Sequence, residues 1–223
     1  MKIGIISDIH ANLIALEKVM GKLEKCDEII CAGDVVGYYP YSNEVVELLR
    51  KERVHSVLGN HDYAVLTGDF RDMNTYARVS ASYTIKNLKE ENREWLENLP
   101  LKIETDYFNV YHGIPSGDLD AFKVYIFPEF PLIEKILEEE GKSIVVGHTH
   151  IQFQKESGNL SLVNPGSVGQ PRDGDKKAAY AIFDTEKNRF DFGRVEYDVY
   201  EVIMEVEKSG LPTALGMRLL EGI

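Results

Sequence analysis

Apolar residues enter this chain in short runs that end on a polar or charged residue, and the runs alternate with segments of helical period. KIGIISD over 2–8 reads as a strand, and NLIALEKVMGKLEK over 12–25 places Leu13, Leu16, Met20 and Leu23 on one helix face behind Asn12 as N-cap. The unit repeats as a strand over 28–34, a helix over 43–53 capped by Ser42, and a strand over 55–60. Strands that alternate with helices predict a largely parallel, buried sheet. The rhythm breaks over 61–98, a polar and aromatic excursion that predicts a helix around 76–98 with Trp95 and Leu99 in the core. Strands return at 108–113 and 143–148, separated by a helix near 129–140. From 151 the pattern becomes hairpin-like, with FQKES turning at Gly158-Asn159 into LSLVN, and AAYAIFD turning at 186–188 into RFDFGRVEYD. This predicts an antiparallel sheet packed on the first, followed by a helical tail over 199–222 broken at Gly210 and Pro212.

Composition narrows the class. The 223 residues hold one large domain or one domain with a small insertion, and 43% hydrophobic residues supply a sizeable core. A net charge of −12 repels polyanions and argues against generic nucleic-acid binding, although a bound cation can reverse the sign inside one cleft. No window approaches about 18 consecutive apolar residues, and the N-terminal run is interrupted by Asp8 and His10, so neither a membrane span nor a signal peptide is expected. Cys26 and Cys31 lack the spacing of a zinc or redox motif and read as buried thiols of a cytoplasmic, reducing compartment, with alternation pointing Cys31 into the core.

The candidate chemistry lies in where the histidines fall. His10, His61, His112, His148 and His150 each follow a predicted strand beside Gly, Asp or Asn, whereas His55 starts a strand and reads as an ordinary histidine. Loops at the carboxyl ends of strands in an open α/β sheet converge on one crevice, which would gather Asp8, His10, Asp34, Asn60, His61, His112, His148 and His150. An Asp-x-His alone is commonly a cap, and a Gly-Asp alone is a turn. Their occurrence in order with Gly-Asn-His-Asp and Gly-His-Thr-His carries the weight. Buried carboxylates and imidazoles need charge compensation, which a divalent metal provides. The mixed N/O set suits Mn, Fe, Zn, Ni or Co better than Ca or Mg. Seven candidate ligands exceed the needs of one ion and suit two about 3.5 to 4 Å apart, with a bridging Asp and a hydroxide nucleophile for in-line attack at phosphorus.

The series Asp8-Ile9-His10, Gly33-Asp34, Gly59-Asn60-His61-Asp62, His112-Gly113 and Gly147-His148-Thr149-His150 resembles the signature of the calcineurin-like metallophosphoesterase superfamily. NPGSVGQPR over 164–172 further resembles its small prokaryotic phosphodiesterase branch. The resemblance implies a four-layer α/β/β/α sandwich of two packed mixed sheets, formed by 1–223 as a single domain with the excursion at 61–98 near the active site. It implies that Asp8, His10 and His150 hold a first metal, that Asp34 bridges, and that Asn60, His112 and His148 hold a second. His61 would then be the acid or phosphate-binding imidazole, oriented by Asp62. The implied cofactors are two divalent transition-metal ions, manganese first, with nickel, cobalt, iron or zinc as alternatives. The implied partner is a small phosphoester, nucleotides included, with no membrane and with a homo-oligomer left open.

One departure bears on the substrate. Relatives that act on phosphoproteins or dinucleoside polyphosphates carry Arg-Gly where this chain has Gly37-Tyr38. Losing a bidentate guanidinium favours diesters over dianionic monoesters, unless Arg71, Arg78 or Arg172 substitutes. The expected activity is therefore a metal-dependent phosphodiesterase that uses a metal-bridging hydroxide. A dinucleoside polyphosphate hydrolase and a phosphatase are the alternatives of the same class. A non-catalytic module like the retromer subunit is the alternative of another class, and retention of His61 speaks against it. Tyr38, Tyr39 and Tyr41 are read either as a stacking surface or as packing.

Overall fold

The computed structural model describes residues 1–116 and 118–223. Strand β1 (Lys2–Ile6) sends Ile3 and Ile5 to one face and Ile6 to the other, as the pleat requires, and both faces are covered. Helix α1 (Leu13–Leu23) follows, with the Asn12 side chain accepting from Ala15 N–H as expected of the cap. Strand β2 (Glu28–Cys31) and helix α2 (Ser42–Lys51) complete the second unit. Ser42 does not cap α2: it is the first helical residue, and its Oγ lies 3.2 Å from Thr84 Oγ1.

Strand β3 (His55–Ser56) is two residues long, not six, because the chain leaves the sheet when Leu58 N–H donates to Pro100 O. The excursion holds three helices instead of one, α3 (Asn60–Thr67), α4 (Thr75–Asn87) and α5 (Glu90–Glu97). Leu96 is the fully buried apolar residue of α5, while Trp95 and Leu99 are half-buried against the same core. There follow β4 (Ile103–Glu104), β5 (Phe108–Val110), a 3-10 turn (Leu119–Lys123), α6 (Ile133–Glu140) and β6 (Ser143–Val145). The two hairpins are β7 (Gln152–Ser157) with β8 (Leu160–Pro165), and β9 (Ala178–Asp184) with β10 (Arg189–Val195). Helices α7 (Val199–Lys208) and α8 (Ala214–Met217) end the chain around the expected break.

The hairpins form as expected but do not make a sheet of their own. Strand β9 pairs antiparallel with β1, giving the order β10-β9-β1-β2-β3, and β8 pairs parallel with β6, giving β4-β5-β6-β8-β7. The β9–β10 hairpin extends the three parallel strands β1, β2 and β3, and the β7–β8 hairpin extends the parallel pair β5 and β6, so both sheets are mixed. Ile3, Ile5, Ile30, Val57, Phe108, Val145, Val163 and Phe183 pack between the two sheets. Leu16, Val46, Val202 and Leu215 cover the outer face of the first, and Ile133, Leu137, Ile144 and Leu162 that of the second. This is the four-layer α/β/β/α sandwich. Among the described residues no helix is long and apolar enough to cross a membrane.

Candidate metal centre

The loops at the carboxyl ends of β1, β2, β3, β5 and β6 meet at one end of the sandwich. Asp8, His10, Asp34, His112, His148 and His150 are buried there, with Asn60 half-buried beside them. Asp8, His10, Asp34, His148 and His150 all have positive φ, between 51° and 69°. Such backbone is costly for residues with a Cβ and persists where surrounding structure over-determines it. The loops are also locked by close approach. A Cβ at Gly59 would stand 2.1 Å from Asp34 Oδ1, so only glycine lets α3 start against that carboxylate.

Two donor sets share one carboxylate. In the first, His10 Nε2 and His150 Nε2 are 3.1 Å apart, His150 Nε2 is 3.3 Å from Asp8 Oδ1, and His10 Nε2 is 3.6 Å from Asp34 Oδ2. In the second, His112 Nε2 is 3.3 Å from the same Asp34 oxygen and 2.9 Å from Asn60 Oδ1, with His148 close by. These are the two groups of residues expected from the sequence, with Asp34 between them.

The donor chemistry fits metal ions. The Nδ1 atoms of His10, His112 and His150 face the carbonyl oxygens of Val36, Ala32 and Gln170 at 3.3, 2.8 and 2.6 Å. A carbonyl only accepts, so each Nδ1 carries the proton, and in the neutral ring Nε2 presents a lone pair. His10 and His150 then aim two lone pairs at each other, an arrangement that a cation between the nitrogens and carboxylates relieves. His148 Nε2 is buried with no partner.

Without a cation, the protonation pattern shows the same need. Burial pushes Asp8 up to about 7. Burial would raise Asp34 too, but the imidazoles of His112, His61 and His10 hold it well below the carboxylate range. Burial lowers His112, and the Asp34 charge outweighs this and raises it to about 9, so a proton sits where a metal would. Burial keeps His10, His148 and His150 neutral.

His61 lies against His10 and Tyr38, with ring centroids 4.7 and 4.6 Å away, and its buried Nδ1 has no partner. Burial lowers it to about 4, so the imidazole is neutral. Asp62 does not orient that ring. Its carboxylate accepts from Val35, Val36 and Gly59 N–H at 3.2, 2.9 and 3.0 Å, which fastens the Asp34 loop to the start of α3. Asp34 Oδ1 is held in turn by His61 N–H at 2.8 Å.

Of the three arginines, only Arg172 approaches the centre. Its guanidinium donates to Gln170 Oε1 and Tyr38 OH and lies 5.8 Å from the Tyr38 ring centre. Arg71 pairs with Asp69 in solvent, and Arg78 donates to the backbone of Met73 and Arg71. Gly37 has φ of +95°, and a Cβ there would stand 2.7 Å from His61 Nδ1, so an arginine at this position would displace the imidazole. Tyr38 and Tyr39 are buried, which makes them packing instead of an open stacking surface. His55 is exposed at the start of β3, and Cys31 is buried whereas Cys26 is only half-buried.

The segment 164–172 carries supports that the sequence did not single out one by one. Ser167 Oγ donates to Asp8 O at 2.7 Å, Asn164 Nδ2 to Gly147 O at 2.7 Å, and Gln170 offers the carbonyl that orients His150. Their polar side chains in an otherwise apolar, glycine-rich stretch were the available signal.

A family model described as the calcineurin-like phosphoesterase superfamily domain matches residues 1–188. An uncharacterized protein of Methanocaldococcus jannaschii is 39% identical over 240 residues, covering 99% of this chain and 98% of the relative. A metallophosphoesterase from Sphaerobacter thermophilus has TM-score 0.88 and 35% identity, covering 100% of this chain and 99% of its own. A hypothetical protein of Pyrococcus horikoshii shares the fold with TM-score 0.90 at 22% identity, covering 100% of this chain and 98% of its own.

Proposed function

The chain belongs to the calcineurin-like phosphoesterase superfamily, and we propose that it is a phosphodiesterase working with two divalent transition-metal ions, manganese first. On this reading residues 1–223 act as one catalytic domain. Asp8, His10 and His150 would hold one ion and Asn60, His112 and His148 the other, with the Asp34 carboxylate shared between the two sets. When bound, the ions supply Lewis acidity and an activated water.

The chain's own residues do the rest. Asp62 and the glycine turns fix the loops, so the carboxylates and imidazoles need little reorganisation. His61, a neutral imidazole, can take up the proton that the attacking water loses and deliver it to the departing alkoxide, and an N–H of the ring can donate to a phosphate oxygen. Tyr38 and His10 hold its ring in place.

The observation that carries the diester reading is the scarcity of positive charge. Among the described residues Arg172 is the one guanidinium at the centre, and Gln170 and Tyr38 already engage it. A monoanionic diester needs less compensation than a dianionic monoester. The unpaired thiols Cys26 and Cys31 support a cytoplasmic, reducing location. The deciding experiment is the ratio of kcat/KM for an aryl phosphodiester and its matching monoester on the manganese-loaded protein. The expected ratio is well above one. A ratio well below one replaces this reading with a phosphatase that uses Arg172.

A further inference from the structure

Beside the centre lies a cleft of about 530 Å³ between α3 and the 3-10 turn that follows β5. Its wall includes Asn60, so it opens onto the second donor set. Three aromatic rings line it, Tyr63, Phe122 and Tyr125. Tyr63 and Phe122 have ring centroids 6.1 Å apart. Phe122 meets His112 edge-on at 5.9 Å, and Tyr125 stacks on His148 at 3.8 Å with the planes 18° apart. Phe122 in the turn and Tyr125 just after it therefore pack on the imidazoles of the centre and edge the cleft at the same time. Tyr125 leaves 44% of its surface to solvent.

The charges of the cleft select against one class of occupant. Three carboxylates, Asp69, Asp72 and Asp120, face two cations, Arg71 and Lys123, and both cations are already paired within the cleft. A further phosphate would meet net negative charge there. A flat, neutral ring would meet aromatic faces, and the volume lies within the range of small-ligand pockets.

We infer that this cleft receives a planar aromatic substituent of the phosphoester, a nucleobase or an aryl ring, and so sets the substrate class. The inference rests on the phosphodiesterase reading for its reaction, but the binding it claims does not need the metals. Base stacking on aromatic side chains typically changes affinity by roughly 5- to 100-fold when the ring is removed.

The test has two arms. In excess chelator, NMR titration compares adenosine with ribose. Adenosine is expected to bind at least about tenfold tighter, with its ring protons shifted upfield, and Tyr63→Leu and Phe122→Leu are each expected to remove most of that preference. On the manganese-loaded enzyme, kcat/KM is compared for the methyl diesters of thymidine 5′-phosphate, phenyl phosphate and ethyl phosphate. In Tyr63→Leu the thymidine or phenyl diester should fall roughly 5- to 100-fold relative to the ethyl diester. Which of the two falls identifies the ring source, and an unchanged ethyl diester shows that the variant is folded. Equal binding of adenosine and ribose, or ratios unmoved in both variants, overturns the inference. An enzyme that hydrolyses none of the diesters overturns the phosphodiesterase reading, while the chelator titration still judges the cleft.

Discussion

Removing the Asp62 carboxylate separates two roles that the Asn-His-Asp motif leaves entangled. If Asp62 clamps backbone, Asp62→Ala leaves the N–H groups of Val35, Val36 and Gly59 buried without their acceptor. Each such donor costs roughly 1 to 3 kcal/mol. Against this, burial and the nearby Asp34 charge push Asp62 from 3.8 up to about 6, a discomfort of about 3 kcal/mol that the substitution relieves. The net expected loss is about 3 kcal/mol, or roughly 6 to 12 °C in Tm for a chain of this size. Thermal unfolding in excess chelator isolates this loss from metal linkage, and metal analysis of the loaded variant should show fewer bound ions, because the Asp34 loop is released. A variant whose Tm stays within about 2 °C of wild type, with full metal and a collapsed kcat, would show that Asp62 acts on the His61 ring after all.

Other outcomes follow from the same geometry. Asp34→Asn should be the most damaging ligand change, because one Asp34 oxygen faces both His10 and His112; elemental analysis should find fewer than two ions per chain and activity should fall with them. His61→Ala should lower turnover by roughly 10²- to 10⁴-fold, while metal content stays near two. A parallel loss of metal would make His61 a ligand. Metal affinity should rise with pH, since Asp8 keeps a proton up to about 7 and His112 up to about 9. Both values are raised on folding, so the protons stabilise the metal-free fold at low pH, and that stabilisation fades as pH climbs through each value. Competition with a chelator should show about a hundredfold gain per pH unit below 7 and about tenfold between 7 and 9, and an affinity flat across that range would refute the assignment.

The strand-helix units were legible because burial on both faces leaves continuous apolar runs, and the Asn12 cap because its bond to Ala15 is local. The partners of the hairpins were not. Nothing near 160 or 180 tells β8 to seek β6 or β9 to seek β1, since those choices belong to open sheet edges formed by distant residues. The candidate ligands were legible as residue types at strand ends, which the fold then brings together. Asp62 misled because its motif places it next to His61, whereas its side chain turns back to the loop before it. The buried state of Tyr38, the approach of Arg172 and the work of Gln170 depend on contacts across more than a hundred residues, which local spacing does not encode.

The proposed ligands divide between the two sheets in a way that reaches beyond chemistry. Asp8, His10, Asp34 and Asn60 extend from the first sheet, while His112, His148 and His150 extend from the second. The sheets have separate ladders and meet mainly through side chains such as Ile5, Phe108 and Phe183. Each ion would therefore be a rivet through both layers, placed at one end of the sandwich. Pulled apart in a force experiment, a metal-charged molecule should resist sliding of layer over layer until the rivets fail together, and the stripped protein should shear at lower force with each ladder still intact.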